Sequence, residues 1–106
     1  MSTTREAALE RAFQRQVKKE LEAMFEDADI FKPNLHQGSP DLLLLIGDRW
    51  AMLECKRKAP RHASDYEPNQ EWYIDYYNAK SFAMMICPEN KEEVYYALQQ
   101  AFRPTR

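Results

Sequence analysis

One stretch of the chain, residues 41–57, restricts the possible folds more than any other. It reads DLLLLIGDRWAMLECKR, in which an apolar run follows Asp41 and a second apolar run leads to Glu54. A short run that is apolar at every position is typical of a strand covered on both faces of a sheet. Gly47 and Asp48 have the composition of a two-residue hairpin turn. The stretch therefore predicts two adjacent antiparallel strands.

The register of this predicted hairpin brings two acids together. If Gly47 and Asp48 form the loop, counting outward along both strands places Asp41 directly opposite Glu54. Opposed residues on neighbouring strands have Cβ atoms about 4.5–5.5 Å apart, so two carboxylates in these positions repel each other. Because side chains alternate along a strand, Lys56 lies on the same face as Glu54. The pattern predicts two acids and one base at one end of the hairpin.

This group of charges has two interpretations. It could be a buried ion-pair cluster with a purely structural role, in which Lys56 offsets part of the repulsion between the acids. Burial of two acids with one base costs desolvation energy, however, and has no evident benefit for folding. Two carboxylates at one point are hard oxygen ligands suited to Mg²⁺, with Mn²⁺ as a substitute. We therefore expect Asp41 and Glu54 to bind a divalent ion, and Lys56 to orient or activate a water that attacks a phosphate.

The segments on either side of the hairpin predict further helices and strands. The apolar periodicity and the turn residues predict a helix over residues 4–28 with a capping box at Thr3 and Glu6, an extended segment near 30–35, a loop over 59–69, a helix over 68–79, a buried strand over 81–87 and a final helix over 92–102. The length of 106 residues is that of one ordinary domain, so we expect residues 1–106 to share one core.

Two polar residues on the predicted helices point towards this core. The inward stripe of the first helix comprises Leu9, Phe13, Val17, Leu21, Met24, Phe25 and Ala28. Glu10 projects near the middle of the arc of roughly 120° that this stripe spans. It could hold a water or a second ion at the site, or it could turn outward at the helix edge. Gln70 shares one helix face with Tyr73, Ile74 and Tyr77, and it could position the nucleophile or a phosphate, or be a hydrogen-bonded core amide.

Basic residues cluster although the chain as a whole is slightly acidic. The net charge of −2 and the pI of about 5.7 are not the strongly basic footprint of most nucleic-acid binders. A dense basic patch nevertheless follows Glu54, and more basic residues line the first helix, where a solvated face is the alternative interpretation. The residues that we expect to contact DNA phosphates are Arg57, Lys58, Arg61, Arg11 and Arg15.

The sequence also indicates the cellular compartment in which we expect the protein and argues against a zinc site. No apolar run approaches the length needed to cross a bilayer, and the first residues lack the apolar core of a secretory signal, so we expect a cytoplasmic protein without membrane partners. In that compartment Cys55 and Cys87 are expected to be reduced, buried thiols. His36 and His62 have no zinc-site spacing to either cysteine.

Four segments occur in the order found in a known nuclease family. They are LERAFQRQV with Glu10 at the family's acid, GSPDLLLL followed by LECK, EPNQEW with Gln70 at the family's glutamine, and ICPENKEEVYYAL as a closing strand and helix. In this order they resemble the PD-(D/E)XK nuclease superfamily, and most of all its virus-type replication-repair nuclease family, VRR-NUC. The chain departs from the family pattern where Asp-Ala-Asp, residues 27–29, replaces the usual glycine.

The resemblance implies an α/β fold, with a small mixed β-sheet flanked by helices and a restriction-endonuclease-like core. It also implies a Mg²⁺ or Mn²⁺ site and the cleavage of phosphodiester bonds in DNA. Asp41, Glu54 and the backbone carbonyl of Cys55 would be the metal ligands, and Lys56 would assist the water. Short members of the family are similar to phage or bacterial proteins that form homodimers and cut branched DNA, including four-way (Holliday) junctions.

The leading hypothesis is therefore a metal-dependent, structure-selective DNA endonuclease that acts as a homodimer. A general nicking or restriction-like nuclease is the alternative within the same class. From another class, a DNA-binding module could use residues 56–61 to contact phosphates without cleavage. Trp72 and Tyr76 fall outside the inward stripe of their helix and are interpreted as interface residues, with stacking on bases as the other interpretation.

Overall fold

The computed structural model describes residues 5–58 and 69–102, which form helices and strands in the predicted order. The elements are α1 (Arg5–Met24), β1 (Asp29–Phe31), β2 (Leu42–Ile46), β3 (Arg49–Cys55), α2 (Gln70–Lys80), β4 (Phe82–Ile86) and α3 (Lys91–Ala101). The predicted capping residue Thr3 and most of the predicted loop, residues 59–68, lie outside the described residues.

The four strands form one mixed sheet in the order β1-β2-β3-β4. The pairs β1–β2 and β2–β3 are antiparallel, whereas β3 and β4 run parallel. A parallel pair needs a crossover connection, because its strands start at the same edge of the sheet. The chain between β3 and β4 contains α2. The prediction of an α/β fold with a mixed sheet flanked by helices is confirmed.

The hairpin between β2 and β3 has the predicted register. Ile46 pairs with Arg49, and Leu42 pairs with Leu53. Gly47 has a φ of +62°, and a positive φ at the first of two loop residues is the feature of a type II′ turn that favours glycine. One step beyond the last pair, Asp41 and Glu54 come to lie across from each other.

The main core lies on one face of the sheet, against α1 and α3. Its buried residues are Phe13, Val17, Leu21, Ile30, Leu42, Leu44, Ala51, Leu53, Cys55, Ile86, Val94, Tyr95 and Leu98. The ends of the predicted α1 stripe differ from this core. Leu9 is 37% exposed because it lines an open groove, and α1 ends at Met24 because the chain turns at residues 26–27 to enter β1. Phe25 and Ala28 still pack against the core from outside the helix.

The opposite face of the sheet is covered only in part. Glu54 and Trp50 on this face contact side chains of α2, which therefore packs over β3 and its neighbour β4. No other described helix covers this face, so Leu45 of β2 is 39% exposed and Phe31 of β1 is exposed as well. The prediction that β2 is covered on both faces is wrong, because one short helix cannot span all of these strands. None of the described helices combines the length and the apolar character needed to cross a membrane.

Candidate metal centre

Three carboxylates meet at the end of the sheet where β2 begins and β3 ends. Asp41 directly precedes β2, Glu54 is the penultimate residue of β3, and Glu10 arrives from the second turn of α1. One oxygen from each carboxylate lies within 4.8 Å of the other two. Ligands bound at about 2.1 Å to one Mg²⁺ are at most about 4.2 Å apart, so a small contraction would suffice to bind an ion. The structure brings the two predicted acids together and places Glu10 beside them.

Glu54 is the most deeply buried member of this carboxylate cluster, with an exposed fraction of 1%. Its Oε2 atom accepts a hydrogen bond of 2.6 Å from Nε2 of Gln70, the buried first residue of α2. The same oxygen lies 3.6 Å from Nζ of Lys56. A buried carboxylate needs such partners because it has lost its hydration. Gln70 and Lys56 are thus both in contact with the cluster. The sequence predicted this position for Lys56, whereas for Gln70 it left open a hydrogen-bonded core amide as the alternative.

Burial raises the pKa of Asp41 above its ordinary value. This shift is opposed by the backbone N–H of Cys55, which donates a hydrogen bond of 2.9 Å to Oδ2 of Asp41. The positive charges of Lys32 and Lys56 and a hydrogen bond with the Glu54 side chain oppose it as well. The raised pKa means that the ion-free protein holds the negative charge at this position less easily than water does. A bound cation would reverse that preference.

Cys55 can contribute to this centre only through its backbone. Its side chain is buried in the main core, on the sheet face opposite to Glu54, and burial raises the pKa of the thiol. Cys55 and Cys87 are both free thiols, as predicted. A thiolate ligand at the cluster is therefore not available from Cys55, which favours ions that prefer oxygen.

The loop that carries Asp41 is held against α2 by His36. The His36 ring stacks on Tyr73 with centroids 3.9 Å apart, and Nε2 of His36 is hydrogen-bonded to the hydroxyl of Tyr77 at 2.7 Å. Since α2 also begins with Gln70, these contacts fix the loop and the amide relative to each other. Sequence reasoning missed this role, because a loop histidine and two helix tyrosines carry no local signal of contact.

Lys32 is a second residue near the cluster that sequence reasoning missed. It is exposed just after β1, and its charge lowers the pKa of Asp41. The pairing of Phe31 with Leu43, continued by one step, brings Lys32 to the edge of the sheet where Asp41 lies. The register of β1 could have indicated this position, but a three-residue strand has too weak a pattern to reveal its register.

Four of the five residues predicted to contact DNA belong to the part of the chain that the structure describes. Arg57 and Lys58 follow Lys56 and are exposed, and Arg11 and Arg15 are exposed on α1. Arg61 lies outside the described residues. Their exposure leaves the charges accessible to phosphates, and their contact with DNA stays a prediction.

An exposed apolar face extends from the sheet onto α2. Leu45 pairs across the strands with Trp50, whose ring lies 6.0 Å from that of Tyr77. Tyr77 contacts Tyr76, which stacks on Trp72 with centroids 5.1 Å apart. Trp72 is 59% exposed, so it does lie off the inward side of its helix. We call this surface, from Leu45 to Trp72, the apolar face.

Comparison of the chain with models of known protein families, with curated proteins and with solved structures finds no match. The family resemblance based on the motifs therefore stays a prediction. The fold and the side-chain geometry define an α/β protein with a carboxylate cluster, a lysine and a glutamine at one end of a mixed sheet.

Replacement of Gln70 by methionine should destabilise the protein by about 1.5–3 kcal/mol, the usual contribution of a hydrogen bond to a charged group. The reason is that Oε2 of Glu54 loses a donor that it cannot replace with water. Urea unfolding without divalent ions would measure the change. Gln99→Met on the exposed side of α3 is the matched control and should stay within about 0.5 kcal/mol of wild type. Equal stability of both variants would show that the amide does not support the carboxylate.

Proposed function

We propose that this protein is a metal-dependent nuclease of the PD-(D/E)XK kind that hydrolyses phosphodiester bonds in DNA. The observation that supports the proposal most is the convergence of Glu10, Asp41 and Glu54 within 4.8 Å, with Lys56 beside them. These residues come from different parts of the sequence, and the motifs that contain them occur in the order that is typical of that superfamily.

The residues present suit Mg²⁺ or Mn²⁺. When ionised, the three carboxylates carry a charge of −3, and the positive charges of Lys32 and Lys56 both act on Asp41. A divalent cation at the cluster would stabilise its ionised form, because it adds positive charge at the point where the three carboxylates meet. The carboxylate oxygens of the cluster are hard ligand atoms, the kind that these ions prefer.

The roles of the residues follow from their positions. When bound, the divalent ion would neutralise charge on the scissile phosphate and make a water more acidic. Glu10, Asp41 and Glu54 would hold the ion, and Gln70 keeps the Glu54 carboxylate in one orientation through its hydrogen bond. Lys56 places a cation next to the reacting phosphate, where it can orient the attacking water and stabilise the charge of the transition state.

We extend the proposal to branched DNA and to a homodimer. The apolar face supports the dimer, because Leu45, Trp72 and Tyr76 are exposed there and aromatic residues are enriched at interfaces. A two-fold dimer has two cleavage sites, which suits the paired strands of a four-way junction. A general nicking nuclease and a non-catalytic DNA-binding module are the competing proposals.

Labelled four-way junctions and linear duplexes, incubated with the purified protein, test this function. With Mg²⁺ we expect paired nicks in the junction, and no product in EDTA or with Asp41→Asn. If linear duplex is cut as fast as the junction, the protein has no preference for branched DNA and the general nuclease is favoured. Tight, steeply salt-dependent binding without product under Mn²⁺ would favour the binding module instead.

A further inference from the structure

A groove lies between α1 and the chain around the start of α3. It has a volume of about 310 Å³. Leu9, Ala12, Phe13 and Gln16 of α1 form one wall. The other wall contains Arg57 from the chain after β3, together with Pro88 and Lys91 near the start of α3. Its size is at the lower end of the range found for small-ligand pockets, about 300–1,000 Å³.

Both walls of the groove contain residues that neighbour the cluster in the sequence. On α1, Leu9 precedes Glu10 and Phe13 follows it by three residues, a spacing that makes helix side chains neighbours. Arg57 directly follows Lys56 in the other wall. Since extended chain advances about 3.3 Å per residue, Arg57 lies within about 10 Å of Glu54 along the chain. A DNA strand with one phosphate at the cluster would therefore have a neighbouring nucleotide at this groove.

The walls combine apolar side chains with the amide of Gln16 and two basic residues. Leu9 and Pro88 are both exposed apolar residues. Lys91 is engaged by Glu20, whose carboxylate lies 3.1 Å from its Nζ. Arg57 is exposed, and within residues 5–58 and 69–102 it forms no ion pair. Apolar surface beside an accessible guanidinium suits a ligand that has both a flat ring and a phosphate.

We propose that this groove binds an unpaired nucleotide adjoining the scissile phosphate, with the base against Leu9 and Pro88 and its phosphate on Arg57. The inference rests on the proposed nuclease function and deepens it. It also supplies a reason for a preference for branched DNA, because bases at a branch point leave the stack at lower cost than bases within a duplex.

Ala12→Phe tests the groove by filling it from an exposed helix position. In a protein that also carries Asp41→Asn to prevent cleavage, it should raise the Kd for a fluorescein-labelled four-way junction at least tenfold. Binding to a linear duplex should change less than threefold. In the cleaving protein, Ala12→Phe should raise KM and leave kcat within about twofold, because it affects binding of a neighbouring nucleotide and not the reacting phosphate.

Ala23→Phe is the matched control for this experiment. Residue 23 is exposed on nearly the same side of α1, eleven residues beyond Ala12 and thus about 16 Å along the helix. It should leave both Kd and KM within twofold of the parent protein. Arg57→Gln is a second test that does not depend on the fold tolerating a larger side chain. It should weaken junction binding and lower the slope of log K against log salt by about one.

The outcomes separate this inference from the proposed function. If the wild-type protein cleaves DNA but neither Ala12→Phe nor Arg57→Gln changes junction binding, the proposed nucleotide site in the groove is wrong and the nuclease proposal stands. If the wild-type protein does not cleave DNA but both variants bind the junction more weakly, the nuclease proposal is wrong and the groove is supported as a DNA-binding site. A wild-type protein that binds no DNA would overturn both.

Discussion

Replacement of Asp41 by asparagine should reduce Mg²⁺-dependent DNA hydrolysis by a factor of about 10³ or more, while making the ion-free protein more stable. The loss corresponds to about 4 kcal/mol of transition-state stabilisation, which a metal site can supply. The gain arises because burial disfavours the ionised form of Asp41, as the direction of its pKa shift indicates, whereas asparagine carries no charge. Asparagine keeps an oxygen that can accept the hydrogen bond from the Cys55 backbone N–H.

The pH dependence of stability follows from the direction of the Asp41 pKa shift. Burial raises the pKa of Asp41 in the folded protein, so the folded state binds a proton more tightly than the unfolded state. Its contribution to stability is therefore greatest below the ordinary pKa of 3.8 and is lost as pH rises through the raised value. Without divalent ions, the free energy of unfolding of Asp41→Asn should therefore exceed that of wild type by a margin that grows as pH rises through this window.

Urea unfolding with and without Mg²⁺ measures both effects in the same samples. At a Mg²⁺ concentration of 100 times its Kd, wild type should gain about 2.7 kcal/mol, and Asp41→Asn should gain much less. The control is Asp48→Asn, which changes an exposed acid in the hairpin turn and should alter neither hydrolysis nor the response to Mg²⁺. Retention of more than a tenth of the activity by Asp41→Asn would remove Asp41 from the proposed site.

Lys56→Gln is the second change with a large expected effect. It removes a cation that lies 3.6 Å from a carboxylate with almost no exposed surface. Without divalent ions the variant should lose about 3 kcal/mol of stability, because the buried Glu54 carboxylate loses the positive charge with which it forms an ion pair. DNA hydrolysis should fall by about 10²–10⁴-fold, the range of a general acid–base contribution.

Mg²⁺ should restore the stability of Lys56→Gln but not its activity. The ion can replace a missing positive charge, whereas it cannot orient the water or the phosphate as the lysine does. Lys19→Gln, an exposed change on α1, is the control for removal of one positive charge. If Mg²⁺ stabilises neither wild type nor Lys56→Gln, the charges form the structural ion-pair cluster that is the alternative interpretation, and the nuclease proposal fails.

Much of this arrangement could be predicted because it depends on short-range geometry. A two-residue loop at Gly47 and Asp48 determines which residues of β2 and β3 face each other, so the proximity of Asp41 and Glu54 follows from counting. Strand alternation adds Lys56 by the same argument. The helix periodicity predicted that Gln70 points inward, and the structure confirms that it does.

Two predictions about burial are wrong for the same reason. Leu9 was expected in the core and β2 was expected to be covered on both faces, because apolar patterns report a preference for burial and not the presence of a neighbour. Leu9 instead lines a groove, and Leu45 of β2 lies on the part of the sheet that α2 does not reach. Sequence patterns along one element contain no information about how far a distant helix extends.

The chain's local patterns were sufficient to establish its strands and helices, the hairpin register and the acid pair, because hydrogen bonding and side-chain alternation act between residues close in sequence. The arrival of Glu10 at the acids, the contact of Gln70 with Glu54, the support of the loop by His36 and the proximity of Lys32 all required the folded arrangement. These contacts join residues far apart in sequence, and their distances depend on how whole helices pack against the sheet.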